Sequence, residues 1–272
     1  MTVTAPAPTA VPAPPPTPRR ARIPGLDLLG VVPFFLFAIM FLILPTLQIV
    51  VGAFQTEEGR FTLANIANLL QPKILSAFWI SIRISFYSAA LGCLIGFALA
   101  AAVTFGGLPR WMRAPTLTFS GVASNFAGVP LSFAFIATLG RLGFVTVLLR
   151  DWFGFNIYST GFNLISLFGL VLTYLYFQIP LMILIITPAL DGLKREWREA
   201  AQVLGASGWQ YWRMVALPIL WPSLLGTMAL LFANSFGAVA TAIALTGSSL
   251  TIVPILLFAQ IRGDVLNDPH LG

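Results

Sequence analysis

Five apolar runs, each long enough to cross a lipid bilayer, recur along this chain of 272 residues. A transmembrane helix needs about 20 apolar residues, whereas the core of a signal peptide has only about 7–15. The runs therefore predict an all-α, polytopic membrane protein. A shorter run at 250–261 is predicted to be re-entrant, interfacial or a short packed helix. The five long runs cover about 28–54, 77–105, 115–139, 162–190 and 222–246.

The charge content agrees with a membrane protein and argues against one that binds nucleic acid. Hydrophobic residues make up 58% of the chain and charged residues only 9%, against about 25% charged in soluble domains. The net charge is +6, but the 15 basic residues form short clusters between apolar runs instead of one dense patch. Such clusters are typical of topology signals. We therefore expect contact with membrane lipid and no nucleic-acid partner.

The positions of the basic residues predict the orientation in the membrane. With the N-terminus inside, nine Arg and Lys residues fall in inner segments and five in outer segments. Since basic residues accumulate in cytoplasmic loops, we expect a multi-pass protein of the cell inner membrane with a cytoplasmic N-terminus. The Pro-rich residues 1–26 are predicted to be a disordered cytoplasmic tail, and 27–272 the transmembrane domain.

The sequence offers no catalytic or metal-binding set. Its only cysteine, Cys93, lies inside an apolar run, and its only histidine, His270, follows the last run. The five predicted spans contain no Asp or Glu. A membrane enzyme would need paired carboxylates, Ser with His, or metal ligands at membrane depth. We therefore expect no catalytic residue, no metal and no cofactor in this chain.

The polar segment 191–221, between the fourth and fifth runs, has the pattern of two short helices. Gly205 is placed to end the first helix, since glycine commonly follows a helix C-terminus. Ser207 and Gln210 match the S-x-x-Q capping box, which predicts the start of the second helix. The Leu-Pro pair at 217–218 is expected to end that helix, and Pro222 to begin the fifth span.

Both short helices are amphipathic, which leaves two roles open for the segment. Their aromatic residues could anchor it at the membrane interface. The small residues favour docking into a groove on a partner protein, because they permit close backbone approach. In the first helix the apolar side is Trp197, Ala200, Ala201 and Leu204, and the polar side is Arg195, Arg198, Glu199 and Gln202. The small residues are Ala200, Ala201, Gly205 and Ala206.

The spacing within this segment resembles the EAA loop of binding-protein-dependent ABC importer permeases. The family pattern is E-A-A-x(3)-G-x(9)-I-x-L-P. Here the Glu-Ala-Ala sequence begins at Glu199, and its glycine is Gly205. The Leu-Pro pair at 217–218 follows at the family distance, with Val215 in the isoleucine position. The resemblance extends over the helical pattern from about 77 to 262.

The resemblance implies the type I (MetI-like) ABC importer permease fold and a division of labour between subunits. In that family the loop inserts into a cleft on a nucleotide-binding subunit, and ATP binding there rocks the membrane helices. The implied partners are ABC ATPase subunits, a second permease subunit and an extracytoplasmic substrate-binding protein. The chain has no G-x-x-x-x-G-K-[ST] loop, so ATP is expected to bind the partner. The implied coupling residues are Glu199, Ala200, Ala201, Gly205, Ala206, Leu217 and Pro218.

Two further expectations follow from the family. Glu199 would make the polar contact with the ATPase, while Ala200 and Gly205 would supply the close approach and the bend. Permeases of this type usually place another transmembrane helix after the fifth span. Because no long apolar run follows 222–246, the fold is expected to lack its last helix.

Polar residues within the predicted spans are candidates for the translocation path. Arg83 is the only charge well inside a span; its side chain either snorkels to the outer interface or contacts an anionic substrate. The other candidates either form hydrogen bonds between helices or face a central cavity. These are Asn125, Tyr174, Tyr176, Gln178 and Asn234.

The expected cargo comes from a second resemblance. The segments that begin at Asn125, Leu175 and Leu231 resemble those of spermidine/putrescine-type permeases, which implies transport of a polyamine. Permeases for aminoethylphosphonate, iron(III) and sulfate look similar, so these substrates stay open. The alternative class is a membrane channel or scaffold without an ATPase, which would leave the two short helices of segment 191–221 without a role.

Overall fold

The computed structural model describes residues 31–56, 59–107, 109–247 and 249–262, and the predicted tail 1–26 lies outside them. Within the described residues the regular secondary structure is helical, and one isolated bridge joins Gln55 and Phe61. A first compact unit ends at Thr62 and a second begins at Leu63. The main helices are α1 Val32–Gly52, α2 Ala64–Asn68, α3 Pro72–Phe105, α4 Arg110–Asn125, α5 Gly128–Leu139, α6 Phe144–Phe153, α7 Leu167–Asp191, α8 Arg195–Val203, α9 Gly208–Phe236, α10 Val239–Thr246 and α11 Val253–Arg262.

The described residues include five segments long and apolar enough to cross a membrane, which confirms the all-α, polytopic class. The third segment combines α5, a turn and α6, so it differs from the predicted 115–139. The segments are Val32–Gly52, Pro72–Phe105, Gly128–Phe153, Leu167–Asp191 and Gly208–Phe236.

Helix α1 makes up most of the described part of the first unit. None of its residues is buried, as expected for an apolar helix surrounded by lipid. Pro45 lacks an N–H and would clash with the carbonyl one turn earlier in a regular helix. A π turn at Ile39–Ile43 precedes the proline, and the Leu44 N–H donates to the Ile39 carbonyl. The wider turn lets the helix continue past Pro45.

Helices α3 and α7 form the centre of the second unit. Gly92 and Gly96 lie one turn apart on α3 and face Gln178 and Met182 on α7. A Cβ atom at Gly92 would lie 2.8 Å from the Gln178 Cβ, and one at Gly96 would lie 2.6 Å from the Met182 Cβ. Small residues one turn apart let membrane helices approach this closely. The two glycines therefore set the distance between the central helices.

The predicted third span is broken, so its description as one helix over 115–139 was wrong. Helix α4 ends at Asn125, and α5 begins at Gly128 with a φ of +75°. A positive φ is readily adopted only by glycine. Pro130 lies in the first turn of α5, where no intrahelical N–H donor is needed. The break is thus encoded by Gly128 and stabilised by the proline that follows.

The predicted fifth span is also broken, and its start was wrong. Helix α9 ends at Phe236, and α10 covers Val239–Thr246 after a turn at Gly237 and Ala238. Pro222 does not begin a helix but lies inside α9. The Leu-Pro pair at 217–218 does not end the preceding helix either, because a π turn at Trp212–Ala216 carries the helix through it. The Leu217 N–H donates to the Trp212 carbonyl. This is the same five-residue spacing as the bond from the Leu44 N–H to the Ile39 carbonyl before Pro45.

The apolar run 250–261 forms a short packed helix, one of its three predicted forms. The Val253 N–H at the start of α11 donates a buried hydrogen bond of 2.9 Å to the Ser81 hydroxyl of α3. Ile252 and Val253 are buried at this contact. Helix α11 is therefore attached to the central helix α3.

Candidate functional site

The elbow of segment 191–221, hereafter the coupling loop, has a locally encoded geometry. Helix α8 ends at Val203, and Gly205 adopts a φ of +77°. The Gly205 N–H donates to the Gln202 carbonyl and the Ala206 N–H to the Ala201 carbonyl, each at 2.9 Å. These two bonds form a Schellman motif, in which a left-handed residue closes the helix. The predicted role of Gly205 as the end of the first helix is confirmed.

The second helix of the coupling loop starts with the predicted capping box. The Ser207 N–H donates to the Gln210 side-chain oxygen at 2.7 Å. The Gln210 N–H donates in return to the Ser207 hydroxyl at 3.3 Å. Because both ends of the elbow satisfy their backbone groups internally, the loop has a defined shape without a partner chain.

The tip of the coupling loop exposes apolar side chains. Val203 and Leu204 are 88% and 86% exposed, and Trp209 is 74% exposed. The expected apolar side of α8 is only partly covered, because Ala200 and Leu204 are exposed while Trp197 and Ala201 are half-buried. A polar segment that leaves large apolar side chains in the open has the character of a contact surface.

The charged side of α8 lines a groove of about 730 Å³ beside the end of α3. Glu199 lies on this groove, where its carboxylate accepts a hydrogen bond of 2.8 Å from Arg195. Arg198 and Lys194 also line it. Together with Arg195 they make three basic side chains against the one acidic side chain of Glu199, so the groove is basic. Its wall on the other side includes Thr104, Phe105, Tyr211 and Trp212.

Trp212 connects the coupling loop to α3. Its ring makes edge-to-face contacts with Phe97 and Phe105, at centroid distances of 6.2 and 5.6 Å. Such aromatic pairs are more specific in orientation than aliphatic contacts. Leu217 and Pro218, the predicted end of the family pattern, lie directly after the π turn, with Leu217 half-buried and Pro218 exposed.

An ion pair attaches the start of the coupling loop to a second helix. The Arg113 guanidinium, near the beginning of α4, donates to the carboxylate of Asp191, the last residue of α7. Their side chains are 38% and 43% exposed. Neither residue was singled out as a site from the sequence, since nothing local predicts which carboxylate a basic residue reaches.

The candidate path residues divide into exposed and buried groups. Arg83 is exposed on α3, and no ion pair joins it to another described residue. Tyr174 and Gln178 are buried and make hydrogen bonds between helices, one of the two roles left open for them. The Gln178 amide donates to the Leu231 carbonyl at 2.8 Å. The remaining exposed members are Asn125, Tyr176 and Asn234.

A cavity of about 400 Å³ lies where the two broken helices meet. Asn234 of α9 is the only predicted path residue on its wall. Ser124 and Thr241 contribute hydroxyl-bearing residues, and Phe177 contributes an aromatic one. The rest of the wall consists of small or aliphatic residues, namely Ala127, Gly128, Ala233, Gly237, Ala238, Val239 and Ala240.

Hydrogen bonds between helices fix the backbone at the two helix breaks. The Gly128 N–H donates to the Thr241 hydroxyl at 2.8 Å, and the Ser132 hydroxyl donates to the Thr241 carbonyl at 2.8 Å. The Tyr174 hydroxyl donates to the Ala238 carbonyl, also at 2.8 Å. Backbone groups freed by helix breaks in a bilayer need such partners. The sequence contains a signal for these breaks in Gly128 and Gly237, but not for the partners that satisfy them.

Comparison with solved structures identifies the architecture. A chain of a bacterial ABC transporter involved in the import of the acidic polysaccharide alginate superposes with a TM-score of 0.71 at 16% identity. The superposition covers 90% of this chain and 87% of that one. The chain has the fold of an ABC importer permease. A second structure of an alginate transporter, in complex with its alginate pentasaccharide-bound periplasmic protein, gives a TM-score of 0.69 at 14% identity, over 88% of this chain and 84% of that one.

The curated relatives that the sequence matches are permease proteins of sulfate and molybdenum transport systems. A probable sulfate transport system permease protein of Chlorella vulgaris is 30% identical over 170 residues, 61% of this chain and 59% of the relative. A molybdenum transport system permease protein of Haemophilus influenzae is 31% identical over 137 residues, 49% and 57% of the two chains. The matched regions thus span less than two thirds of these relatives.

A longer alignment exists with the sulfate transport system permease protein of Escherichia coli. It is 25% identical over 248 residues, 89% of this chain and 84% of the relative. No known protein-family profile matches the sequence. These relatives and the shared fold support the expected importer-permease class, whereas the expected polyamine cargo finds no support among them.

Proposed function

We propose that this chain is a permease subunit of an ATP-driven ABC importer, in which the coupling loop docks onto a separate ATPase. The observation that carries the proposal is the preformed elbow. A Schellman motif at Gly205 and a capping box at Ser207 present exposed apolar side chains without help from a partner. A rigid, apolar tip binds with little loss of conformational entropy.

The same arrangement supports the predicted roles of the loop residues. Glu199 lies in the basic groove behind the tip, where a partner residue can compete with Arg195 for its carboxylate. Ala200 is exposed and small, so a partner backbone can approach it closely. Ala206 is the residue whose N–H completes the Schellman motif. In this proposal the loop faces the cytoplasm, the second permease subunit completes the path and an extracytoplasmic binding protein delivers the solute.

The cargo that the observations favour is an anion, and we propose a tetrahedral oxyanion such as sulfate or molybdate. The relatives are named as sulfate and molybdenum permeases, and the structural neighbour imports an acidic polysaccharide. No acidic residue is among the described residues that line the cavity between the broken helices. The cavity instead offers hydroxyl groups and the Asn234 amide, which can replace part of an oxyanion's hydration. A polyamine would find no counter-charge there.

Reconstitution of the complete complex tests this proposal. The chain is co-expressed with its neighbouring gene products, purified and placed in liposomes with the binding protein outside and ATP inside. We expect ATP-dependent uptake of labelled sulfate or molybdate and none of labelled spermidine. Uptake of spermidine alone would overturn the anion assignment, and failure of any ATPase to co-purify would contradict the importer assignment.

Two substitutions in α8 test the docking role of the coupling loop. Glu199→Ala should lower both association with the ATPase and uptake, because it removes the acidic side chain from the groove. Glu196→Ala is the matched control, since Glu196 lies on the same helix, is exposed and does not line the groove. Equal behaviour of the two variants would contradict the assigned role of Glu199.

A further inference from the structure

Two of the helices that contribute to the cavity wall, α9 and α4, have their other ends at the coupling loop or joined to it by an ion pair. Helix α9 begins inside the loop at Gly208 and runs to Phe236 beside the cavity. Helix α4 begins at Arg110 and ends at Asn125, next to the cavity residue Ser124. The loop is therefore connected to two of the helices that line the cavity. The two connections differ in kind.

The connection to α9 is covalent. The helix continues from the loop through the π turn at Trp212–Ala216 without a break, and Trp212 is packed against α3. An unbroken helix moves as a rigid element over a length of this order. Movement of the loop at Gly208 must therefore reach Asn234 and the end of α9.

Helix α4 packs along α7, and at the coupling loop the Arg113–Asp191 ion pair joins the first turn of α4 to the end of α7. Asp191 is the first residue of the loop, and Arg113 is one turn into α4. About 16 Å of helix, at 1.5 Å per residue, separates Arg113 from Ser124 at the cavity. Of the ion pairs between two described residues, Arg113–Asp191 alone joins different helices, since Arg150–Asp151 and Arg195–Glu199 lie within one helix each.

The exposure of this pair bears on its role. Both side chains are more than a third exposed, and exposed ion pairs contribute little to folding stability. The pair can also break and re-form without burying an unpaired charge. Its geometry, and not its strength, is what makes it useful to a transporter whose helices must move.

We propose that Arg113 and Asp191 are positioning residues that transmit movement of the coupling loop to α4, and thereby to the cavity wall at Ser124. The inference rests on the proposed function. Without the pair, the loop still moves α9 when ATP is hydrolysed, but the start of α4 is held only by its packing against α7 and follows the loop less closely. The movements of α4 and α9 then lose part of their coordination, so ATP is consumed with less transport.

The test measures solute uptake and ATP hydrolysis in the same liposomes containing the complete complex. The wild-type complex is measured first with labelled sulfate, molybdate and spermidine, and the solute that it takes up is used for every variant. Absence of uptake of all three contradicts the proposed function itself. Arg113→Gln and Asp191→Asn should each lower uptake per ATP hydrolysed by about threefold or more. The double variant should be no worse than either single one, because both remove the same interaction.

The control is Arg150→Gln, which breaks an ion pair of similar exposure on α6, away from the coupling loop. It should leave uptake per ATP unchanged. The charge-swapped chain, Arg113→Asp with Asp191→Arg, should recover most of the coupling and serves also if a single variant fails to assemble. The inference is overturned if the single variants keep the wild-type ratio, if uptake and ATP hydrolysis fall in equal proportion, or if the assembled swap stays uncoupled.

Discussion

The Tyr174 hydroxyl donates a hydrogen bond of 2.8 Å to the Ala238 carbonyl, and this bond joins the central helix α7 to the break between α9 and α10. Tyr174 is buried, and Ala238 lies on the wall of the cavity. The Ala238 carbonyl also accepts a longer bond of 3.4 Å from the Ala242 N–H, the first bond of α10, so the Tyr174 hydroxyl ties the start of that helix to α7. Tyr174 thus fixes the shape of the cavity without contacting its contents.

Replacement of Tyr174 by phenylalanine should therefore destabilise the break. We expect a loss of about 0.6 kcal/mol in the free energy of unfolding, the typical worth of an interhelical hydrogen bond in a membrane, because the Ala238 carbonyl keeps its bond from the Ala242 N–H. Denaturation of the purified chain in detergent measures it. Tyr176→Phe is the control, since Tyr176 is more exposed and its ring makes contacts with Phe126 and Phe135 that phenylalanine keeps. Equal losses in both variants would refute the role of Tyr174.

The close approach of α3 and α7 gives a second prediction. Gly96→Ala would place a Cβ atom 2.6 Å from the Met182 Cβ and 2.9 Å from the Ile179 carbonyl oxygen. Because that oxygen belongs to the backbone, the helices must separate, and we expect destabilisation of about 1–3 kcal/mol. Thermal unfolding in detergent measures the change.

Gly226→Ala is the matched control for that substitution. Gly226 also lies inside a helix, but a Cβ atom there would meet nothing within 4 Å. Alanine should therefore be neutral or stabilise by about 0.5–1 kcal/mol, since it has the higher helix propensity. A Gly96→Ala chain as stable as Gly226→Ala would refute the close packing of α3 and α7.

The parts of the molecule that the sequence predicts are those whose determinants are local. The end of α8 at Gly205 and the cap at Ser207 depend on residues within six positions of each other, so both were predicted. The breaks at 126–127 and 237–238 were missed because hydropathy is continuous across them. Their backbone groups are satisfied by distant residues such as Thr241 and Tyr174, and a distant partner leaves no mark in a local pattern.

The same distinction between local and distant determinants explains which parts of the candidate site were predicted. The coupling loop was found because its spacing is a local signature, although the helix ends assigned to Pro218 and Pro222 were wrong. A proline usually stops a helix, but the π turn before Pro218 removes the clash that makes it do so, and the helix then continues through Pro222. Of the path candidates, Asn234 alone lies on the cavity wall, since polarity within a span does not reveal whether a side chain faces a cavity or a neighbouring helix.

The elbow of the coupling loop gives a third prediction. Gly205→Ala should impair docking on the ATPase, because a non-glycine residue at a φ of +77° costs about 1–2 kcal/mol in backbone strain. A side chain itself would find room there, as nothing lies within 4 Å of a Cβ atom. Gly205→Asn should therefore be tolerated better than alanine, since asparagine visits the left-handed region more readily. The amount of ATPase that co-purifies with each variant measures this difference between alanine and asparagine.

Gly208→Ala is the control for the elbow substitutions. Gly208 starts α9 with open space around it and has no positive φ, so alanine should leave co-purification unchanged. If Gly205→Ala binds the ATPase as well as Gly208→Ala does, the left-handed bend is not needed for docking.

The link between the two broken helices gives a fourth prediction. Thr241→Val keeps the shape of the side chain but removes the hydroxyl that accepts the Gly128 N–H at 2.8 Å. The N–H would lose its partner, which costs about 1–3 kcal/mol where no water can replace it. Because Thr241 and Gly128 both line the cavity, we expect lower uptake as well as lower stability. Liposome uptake and denaturation of the same preparation measure the two effects.

Thr246→Val separates the role of this link from the general effect of removing a buried hydroxyl. Thr246 is also buried on α10, but its hydroxyl donates to the Ala242 carbonyl within its own helix at 2.9 Å. That carbonyl keeps its place in the helix when the hydroxyl is lost, so stability and uptake should change little. A Thr241→Val chain that transports as well as Thr246→Val would mean that the bond from the Gly128 N–H to the Thr241 hydroxyl is not needed for the cavity to work.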